Sequence, residues 1–410
     1  MTAASDRAVA NGRNAQLSLR PLQPLPEGIA NLADYEQAAR ARLAAPLAAW
    51  LFGDDAALTP RANRAAWDER ALAPRLLRPL AGGGSATRLL GRALPWPVLL
   101  APAAYQRLLH ADGELASAVA AAAQGAGYVA ALLASTPPEA IARAFLPGAE
   151  AAAAHSGPLW LQLYLGAVGD GRTLDFGCVR ELVARAEAAG YEALVLTADA
   201  PVRGPRTAER RSRFAMPPDI DAAHLRGLAR RAAASTAGGL CGGLVGQAPT
   251  WADVERLAAS TRLPLLLKGV LRADDALQAL ACGCAGVIVS NHGGRTLDGA
   301  CATARALPRI ADALAPTQAA VLVDGGIRHG TDIVKALALG AHAVLLGRPY
   351  LAALACGGAA GVAHALRLLR DEFEIALAQC GCATPAQLTR DLLDDAAHPH
   401  LPASPLPSAS

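Results

Sequence analysis

Residues 319–348 read AAVLVDGGIRHGTDIVKALALGAHAVLLGR, and they hold one complete strand–helix–strand unit. The apolar run Ala319–Val323 stops at Asp324-Gly325-Gly326. Thr331–Leu339 reads as a helix, and Ala343–Leu346 is again continuously apolar until Gly347-Arg348. Strands that do not alternate apolar with polar residues need cover on both faces, which a parallel sheet flanked by helices provides.

The same alternation extends in both directions. Further strand candidates are Pro97–Ala101, Tyr128–Leu133, Leu159–Leu165, Ala193–Thr197, Leu263–Leu267 and Gly286–Val289, which brings the total to eight. Helical segments include Cys178–Ala189, Ala273–Ala281, Thr303–Leu314 and, after the last strand, Cys356–Leu377. Eight such units predict an α/β fold of the (β/α)₈ TIM-barrel type. An open doubly wound sheet is the competitor, but no G-x-G-x-x-G follows an early strand. The boundaries expected are a flexible arm at 1–25, an N-terminal helical extension at 26–90, the barrel at 91–385 with a long loop at 216–250 after strand four, and a C-terminal tail at 386–410 that ends in disorder. Within the extension the pattern is helical from Leu32 to about Leu80, with Tyr35, Ala38, Ala39, Leu43 and Leu47 at three- and four-residue spacing.

Composition narrows the function. Of 410 residues, 53% are hydrophobic and 18% charged, enough apolar surface for a large core, and only 4% are aromatic, so that core is mostly Ala, Leu and Val. A formal net charge of +3 with no long Lys/Arg run argues against nucleic acid or an anionic membrane as partner. Met1 to Arg20 has no apolar signal core, the apolar runs are broken before spanning length, and a cytoplasmic location is expected. Eight cysteines include no C-x-x-C pair, so they read as reduced thiols and no metal site is expected.

In a barrel of this kind the chemistry lies at the C-terminal ends of the strands. Those ends carry Gln162 and Tyr164, Thr197 and Asp199, Lys268, Ser290-Asn291-His292, Asp324-Gly325-Gly326-Ile327-Arg328, and Gly347-Arg348. Singly, each reads as a satisfied polar residue at an element boundary. Together on one rim they read as a site. His292 suits proton transfer near neutral pH. Gly293 and Gly294 permit close backbone approach, and Arg295 offers a planar fork for a carboxylate. The glycines and arginines of strands seven and eight can cradle a phosphate.

The motifs Leu161-Gln162-Leu163-Tyr164, Leu196-Thr197-Ala198-Asp199, Leu267-Lys268-Gly269, Ser290-Asn291-His292-Gly293-Gly294-Arg295, Asp324–Arg328 and Gly347-Arg348-Pro349 resemble the FMN-dependent 2-hydroxy-acid oxidases and dehydrogenases. That family includes glycolate oxidase, lactate oxidase and mandelate dehydrogenase, and the resemblance runs from about Asp34 to about Cys382. Ala101–Gln106, His110 and Gly113-Glu114 look most like the hydroxymandelate-oxidase branch. The resemblance implies FMN as cofactor, a small 2-hydroxy acid as substrate, oxygen or another electron acceptor, and a homotetramer. It implies His292 as the base while hydride, or its equivalent, passes to flavin N5, Asp199 as its partner, and Tyr164 as a hydroxyl donor to the substrate. Arg206 and Arg295 would clamp the carboxylate, and Lys268 would stabilise the reduced ring. Ala101, Pro102, Ala103, Gln162, Thr197, Lys268, Ser290, Asp324, Gly325, Gly326, Arg328, Gly347 and Arg348 would hold the cofactor.

Three positions depart from the family pattern. Ala49 stands where many members carry an active-site tyrosine, and Ala130–Ala134 replaces small hydroxyl residues after strand two. Pro205 stands where the first of two adjacent arginines is usual. Loss of a tyrosine ring enlarges the pocket, so a bulky or aromatic (S)-2-hydroxy acid is expected. A flavin-binding barrel with altered or lost catalysis, or a monooxygenase-type variant, is the alternative.

Overall fold

The computed structural model describes residues 19–53, 56–146, 157–167, 173–228, 230 and 248–394. The expected arm at 1–25, the loop at 216–250 and the tail at 386–410 lie partly or largely outside the described residues.

Eight strands close into a parallel barrel: β1 Val98–Leu100, β2 Gly127–Ala130, β3 Leu159–Leu163, β4 Ala193–Thr197, β5 Leu265–Val270, β6 Gly286–Val289, β7 Ala320–Val323 and β8 Ala343–Leu346. Each strand pairs with its sequence neighbours, and β8 pairs with β1 to complete the ring. β5 lies two to three residues further along than Leu263–Leu267, so Lys268 is part of the strand. The strand pattern in Tyr128–Leu133 stops at Ala130.

Side chains alternate along each strand, and here that sorts them into layers. Leu99, Val129, Trp160, Val195, Leu266, Ile288, Leu322 and Leu345 fill the barrel interior. Leu89 and Leu94, from a short antiparallel hairpin of Thr87–Leu89 with Arg92–Leu94, pack into the same cluster. Two residues further along the strands stand Ala101, Ala131, Gln162, Thr197, Lys268, Ser290, Asp324 and Gly347. The functional layer is therefore the next layer of the same alternation.

Among the described residues the helices are α1 Leu32–Arg42, α2 Ala45–Phe52, α3 Leu58–Asp68, α4 Gly113–Ala123, α5 Pro138–Phe145, α6 Phe176–Ala189, α7 Thr207–Arg211, α8 Trp251–Ala258, α9 Ala273–Ala281, α10 Thr303–Leu314, α11 Gly330–Ala338 and α12 Arg348–Gln379. The helical pattern expected to about Leu80 ends at Asp68. Pro74, Pro79 and Gly82–Gly84 follow, and Ala71–Leu72 instead pairs with Leu393–Asp394. α12 begins eight residues before Cys356 and bends where Gly357 and Gly358 leave helical geometry. By length and composition α12 could cross a membrane, yet most of its apolar window is buried within the protein.

α3 is tied across the top of β6 and β7. Asn63 and Asn291 exchange two amide hydrogen bonds of 2.9 and 2.8 Å, and Trp67 Nε1 donates to the Gly325 carbonyl at 2.8 Å. Arg64 donates to both oxygens of Asp332 and to the Gly326 carbonyl. On the opposite side, buried Glu114 accepts from the Gln106 and Ser135 amides and from the Ser135 and Thr136 hydroxyls. Buried charge of this kind is tolerated only when fully hydrogen-bonded, and here it fixes the loops after β1 and β2.

Candidate active site

His292 stands just beyond β6, in a left-handed conformation with φ of +55°. A non-glycine residue there is uncommon and costs about 1 kcal/mol, so something must hold it. Two contacts do: its backbone N–H donates to Ser290 Oγ at 3.1 Å, and its Nδ1 lies 2.9 Å from Asp199 Oδ1.

Asp199 follows β4, and Gly269 makes its approach possible. A Cβ at Gly269 would lie 2.5 Å from the Cβ of Asp199, and the β5–β6 register shifts at this residue. Burial works against the Asp199 charge, but the hydrogen bond to His292 and the Lys268 ammonium outweigh it and hold its pKa below the ordinary value. For His292 burial wins: it lowers the imidazole pKa, with Lys268 adding to the effect and Asp199 opposing it. An ionised Asp199 only accepts, so the neutral imidazole carries its proton on Nδ1 and leaves the Nε2 lone pair free. That is a base ready for use.

Lys268 is buried between Ser290 Oγ, 2.7 Å away, and Asp324 Oδ2, 3.0 Å away. Burial disfavours its charge, but Asp324 and Asp199 more than compensate and raise its pKa. Gln162 Nε2 donates to Thr197 Oγ1 at 3.0 Å, and its Oε1 accepts from the Leu132 amide at 3.1 Å. A backbone N–H therefore meets Gln162 in the segment after β2 that lacks hydroxyl side chains.

Two arginines approach from different elements. Arg206, also left-handed with φ of +50°, precedes α7, and Arg295 follows β6. Arg295 donates to the carbonyls of Trp50 and Leu51 at 2.9 and 3.2 Å, so the C-terminal end of α2 is part of this wall. Burial and the neighbouring Arg206 and Arg348 cations push the Arg295 pKa well down. Burial also lowers that of Arg206. A bound anion would relieve both guanidinium groups. Tyr164 senses the charges of Lys268, Asp199, Arg206 and Arg295, and burial pushes its pKa up to about 12. Its hydroxyl is thus a protonated donor among them.

Beyond β7 and β8, Arg328 pairs with Glu36 of α1 at 2.8 Å, and Arg348 donates to the Gly293 carbonyl at 2.7 Å. Burial and Arg328 lower the Arg348 pKa to about 10. α3 packs against the Cα side of Gly325 and Gly326: a Cβ would lie 3.0 Å from Asn63 Nδ2 in one case and 2.8 Å from Asn63 O in the other, so both positions require glycine. Gly347 has open space in front of it. Ala101 is tied by its amide to Leu346 and by its carbonyl to the Tyr350 hydroxyl, with Pro102 and Ala103 following along the rim.

Four buried polar atoms on this rim have no partner among the described residues: Asp199 Oδ2, Arg206 Nε, Asp324 Oδ1 and Arg348 Nε. Such atoms are rare in folded proteins and each needs a reason. Two donors and two acceptors distributed from the His292 side to the Arg348 side match a ligand with an anionic end, hydroxyls and a polar ring edge. The donor set fits FMN together with an acid substrate. Reading strand ends named His292, Asp199 and Lys268, the stretch after strand six named Arg295, and Arg206 came only through the family resemblance. None of these named Glu209, whose buried carboxylate lies 3.2 Å from Arg206 and 3.6 Å from Arg295.

Comparison with known proteins agrees with this geometry. Residues 39–395 match the FMN-dependent dehydrogenase family. An L-lactate oxidase from Alicycliphilus denitrificans is 44% identical over 382 residues, covering 92% of this chain and 99% of that protein. Glycolate oxidase 1 of Zea mays is 39% identical over 369 residues, covering 88% and 95%. The crystal structure of mandelate oxidase with (S)-2-phenylpropionate superposes with a TM-score of 0.77 at 38% identity, covering 89% of this chain and 98% of that one.

Proposed function

The chain belongs to the FMN-dependent dehydrogenase family, and from that premise we propose that it oxidises a bulky or aromatic (S)-2-hydroxy acid to the 2-oxo acid with His292 as the base. The FMN dependence and the 2-hydroxy-acid chemistry follow from the family and its oxidase relatives. The observation that carries the residue roles is the 2.9 Å His292–Asp199 pair standing on the same rim as two half-buried arginines.

Arg206 and Arg295 bind the substrate carboxylate and orient the α-carbon. Tyr164 donates to the substrate. His292 Nε2 takes the hydroxyl proton, and Asp199 stabilises the imidazolium that results. FMN, when bound, would supply the two-electron acceptor that balances the conversion of alcohol to ketone. Lys268 would place a fixed positive charge beside the flavin ring. Asp324 would hold hydroxyls of the cofactor chain, and Arg328, Gly347 and Arg348 its phosphate. Gln162, Thr197, Ser290 and the Ala101–Ala103 strip would face the ring.

Preference for a bulky substrate rests on Ala49. It lies on α2, whose last turn carries the Trp50 ring 5.8 Å from the Arg295 guanidinium, and a residue without a ring at position 49 would leave more room along that wall. A small-acid substrate is the second reading, favoured by the 44% identity to lactate oxidase. An anaerobic absorbance titration with (S)-mandelate, 4-hydroxymandelate, L-lactate and glycolate decides between them. Bleaching at the lowest concentration by an aryl acid is expected, and selective bleaching by lactate or glycolate would overturn the preference. Assembly as a homotetramer in the cytoplasm is part of the same proposal, with light scattering as the check on its size.

A further inference from the structure

We infer that Glu209 is a positioning and charge-setting residue for the two arginines, and that Arg203 completes it in place of the arginine absent at Pro205. The inference rests on the reading of Arg206 and Arg295 as the carboxylate clamp.

The local sequence explains how three cations come to share one acid. Arg206 and Glu209 are three residues apart across the first turn of α7, which puts them on one face. Glu209 Oε1 lies 3.2 Å from Arg206 Nη1 and 3.6 Å from Arg295 Nη2, while Oε2 accepts from Arg203 Nη2 at 2.7 Å. Gly204 lets this loop lie on the far strand end: a Cβ there would be 2.6 Å from the Thr296 carbonyl and 2.7 Å from that of Arg295. The loop after β4 and the loop after β6 are thus locked together at the acid.

Burial divides the four charges into an inner and an outer set. The Glu209 side chain is 7% exposed and those of Arg206 and Arg295 are 22% exposed, whereas Arg203 is 64% exposed and screened by solvent. The inner set has two cations and one anion, a net charge suited to a single carboxylate. Without Glu209 two uncompensated guanidinium groups would favour dianions. Without Arg203 the Glu209 charge would be fuller and would disfavour them.

The probes are oxamate and oxalate, which share one shape and differ by one charge. Both are titrated into the FMN-loaded enzyme, with binding read from the flavin absorbance, in wild type, Glu209→Gln and Arg203→Gln. The ratio of oxamate to oxalate dissociation constants should rise by roughly tenfold in Glu209→Gln and fall by about twofold in Arg203→Gln. General loosening of the loop moves both anions together and leaves the ratio unchanged. An unchanged ratio, or a shift of the same sign in both variants, overturns the inference while leaving the clamp reading intact. If Glu209→Gln fails to fold, the exposed Arg203→Gln decides alone by the sign of its shift. Absence of any spectral change with either anion in wild type sinks the clamp reading and this inference with it.

Discussion

Gly269 and Asp199 are in such close contact that a single added carbon on the glycine would overlap the aspartate Cβ at 2.5 Å. Gly269 also has φ of +107°, which L side chains rarely adopt. Gly269→Ala is therefore expected to push Asp199 off His292. The predicted outcome is a fall in kcat of about a hundredfold with FMN still bound, measured by steady-state turnover alongside flavin content. Unchanged turnover would show that Asp199 does not need its observed place.

The pH dependence follows from the His292 environment. Burial lowers its pKa below 6.5, and only the neutral form is a base. The acid limb of kcat/KM should accordingly lie below the ordinary imidazole range, with activity lost as pH falls through it and full above it. Asp199, through its hydrogen bond and its charge, raises the His292 pKa more than Asp324 does. Asp199→Asn should then move the limb to still lower pH while reducing the maximal rate by about 10²- to 10⁴-fold. A pH–rate profile of both proteins checks the two effects together.

Restoring a ring at position 49 tests the pocket. Ala49→Tyr should reduce kcat/KM for (S)-mandelate relative to glycolate by about tenfold or more, the range that steric exclusion in a pocket commonly reaches. Equal effects on both acids would place position 49 away from the substrate's side chain.

At the cofactor side, Asp324 presents Oδ1 without a partner among the described residues and holds Lys268 through Oδ2. Asp324→Ala should weaken FMN binding by about tenfold or more, read from quenching of flavin fluorescence during reconstitution. Unaltered affinity would mean that this carboxylate serves Lys268 alone.

Local periodicity made much of this legible. β4, β6 and β8 match the sequence reading residue for residue, because their apolar runs are bounded by turn residues on both sides. The rim followed, since a strand end is a local feature and His292, Lys268 and Asp324 each sit at one. What escaped depends on partners distant in sequence. The Asn63–Asn291 pair joins residues 228 apart, and nothing near either asparagine announces the other. Gly325 and Gly326 read as a phosphate cradle by their spacing, and a second reason for glycine there, the packing of α3 against their Cα atoms, has no local signal. Glu209 has no local signal, being one acid in an Arg-rich segment whose role appears only where the loops of β4 and β6 meet around it. A strand boundary was misplaced at Lys268 because a charged residue ends an apolar pattern even when the strand continues past it.

The most direct measurement of the central claim is the rate of flavin bleaching by (S)-mandelate under anaerobic conditions, compared between the FMN-loaded wild type and His292→Gln. The account predicts rapid bleaching in the wild type and a rate lower by about 10³-fold or more in the variant, with its FMN content unchanged. Bleaching of the variant at the wild-type rate would contradict the assignment of His292 as the base.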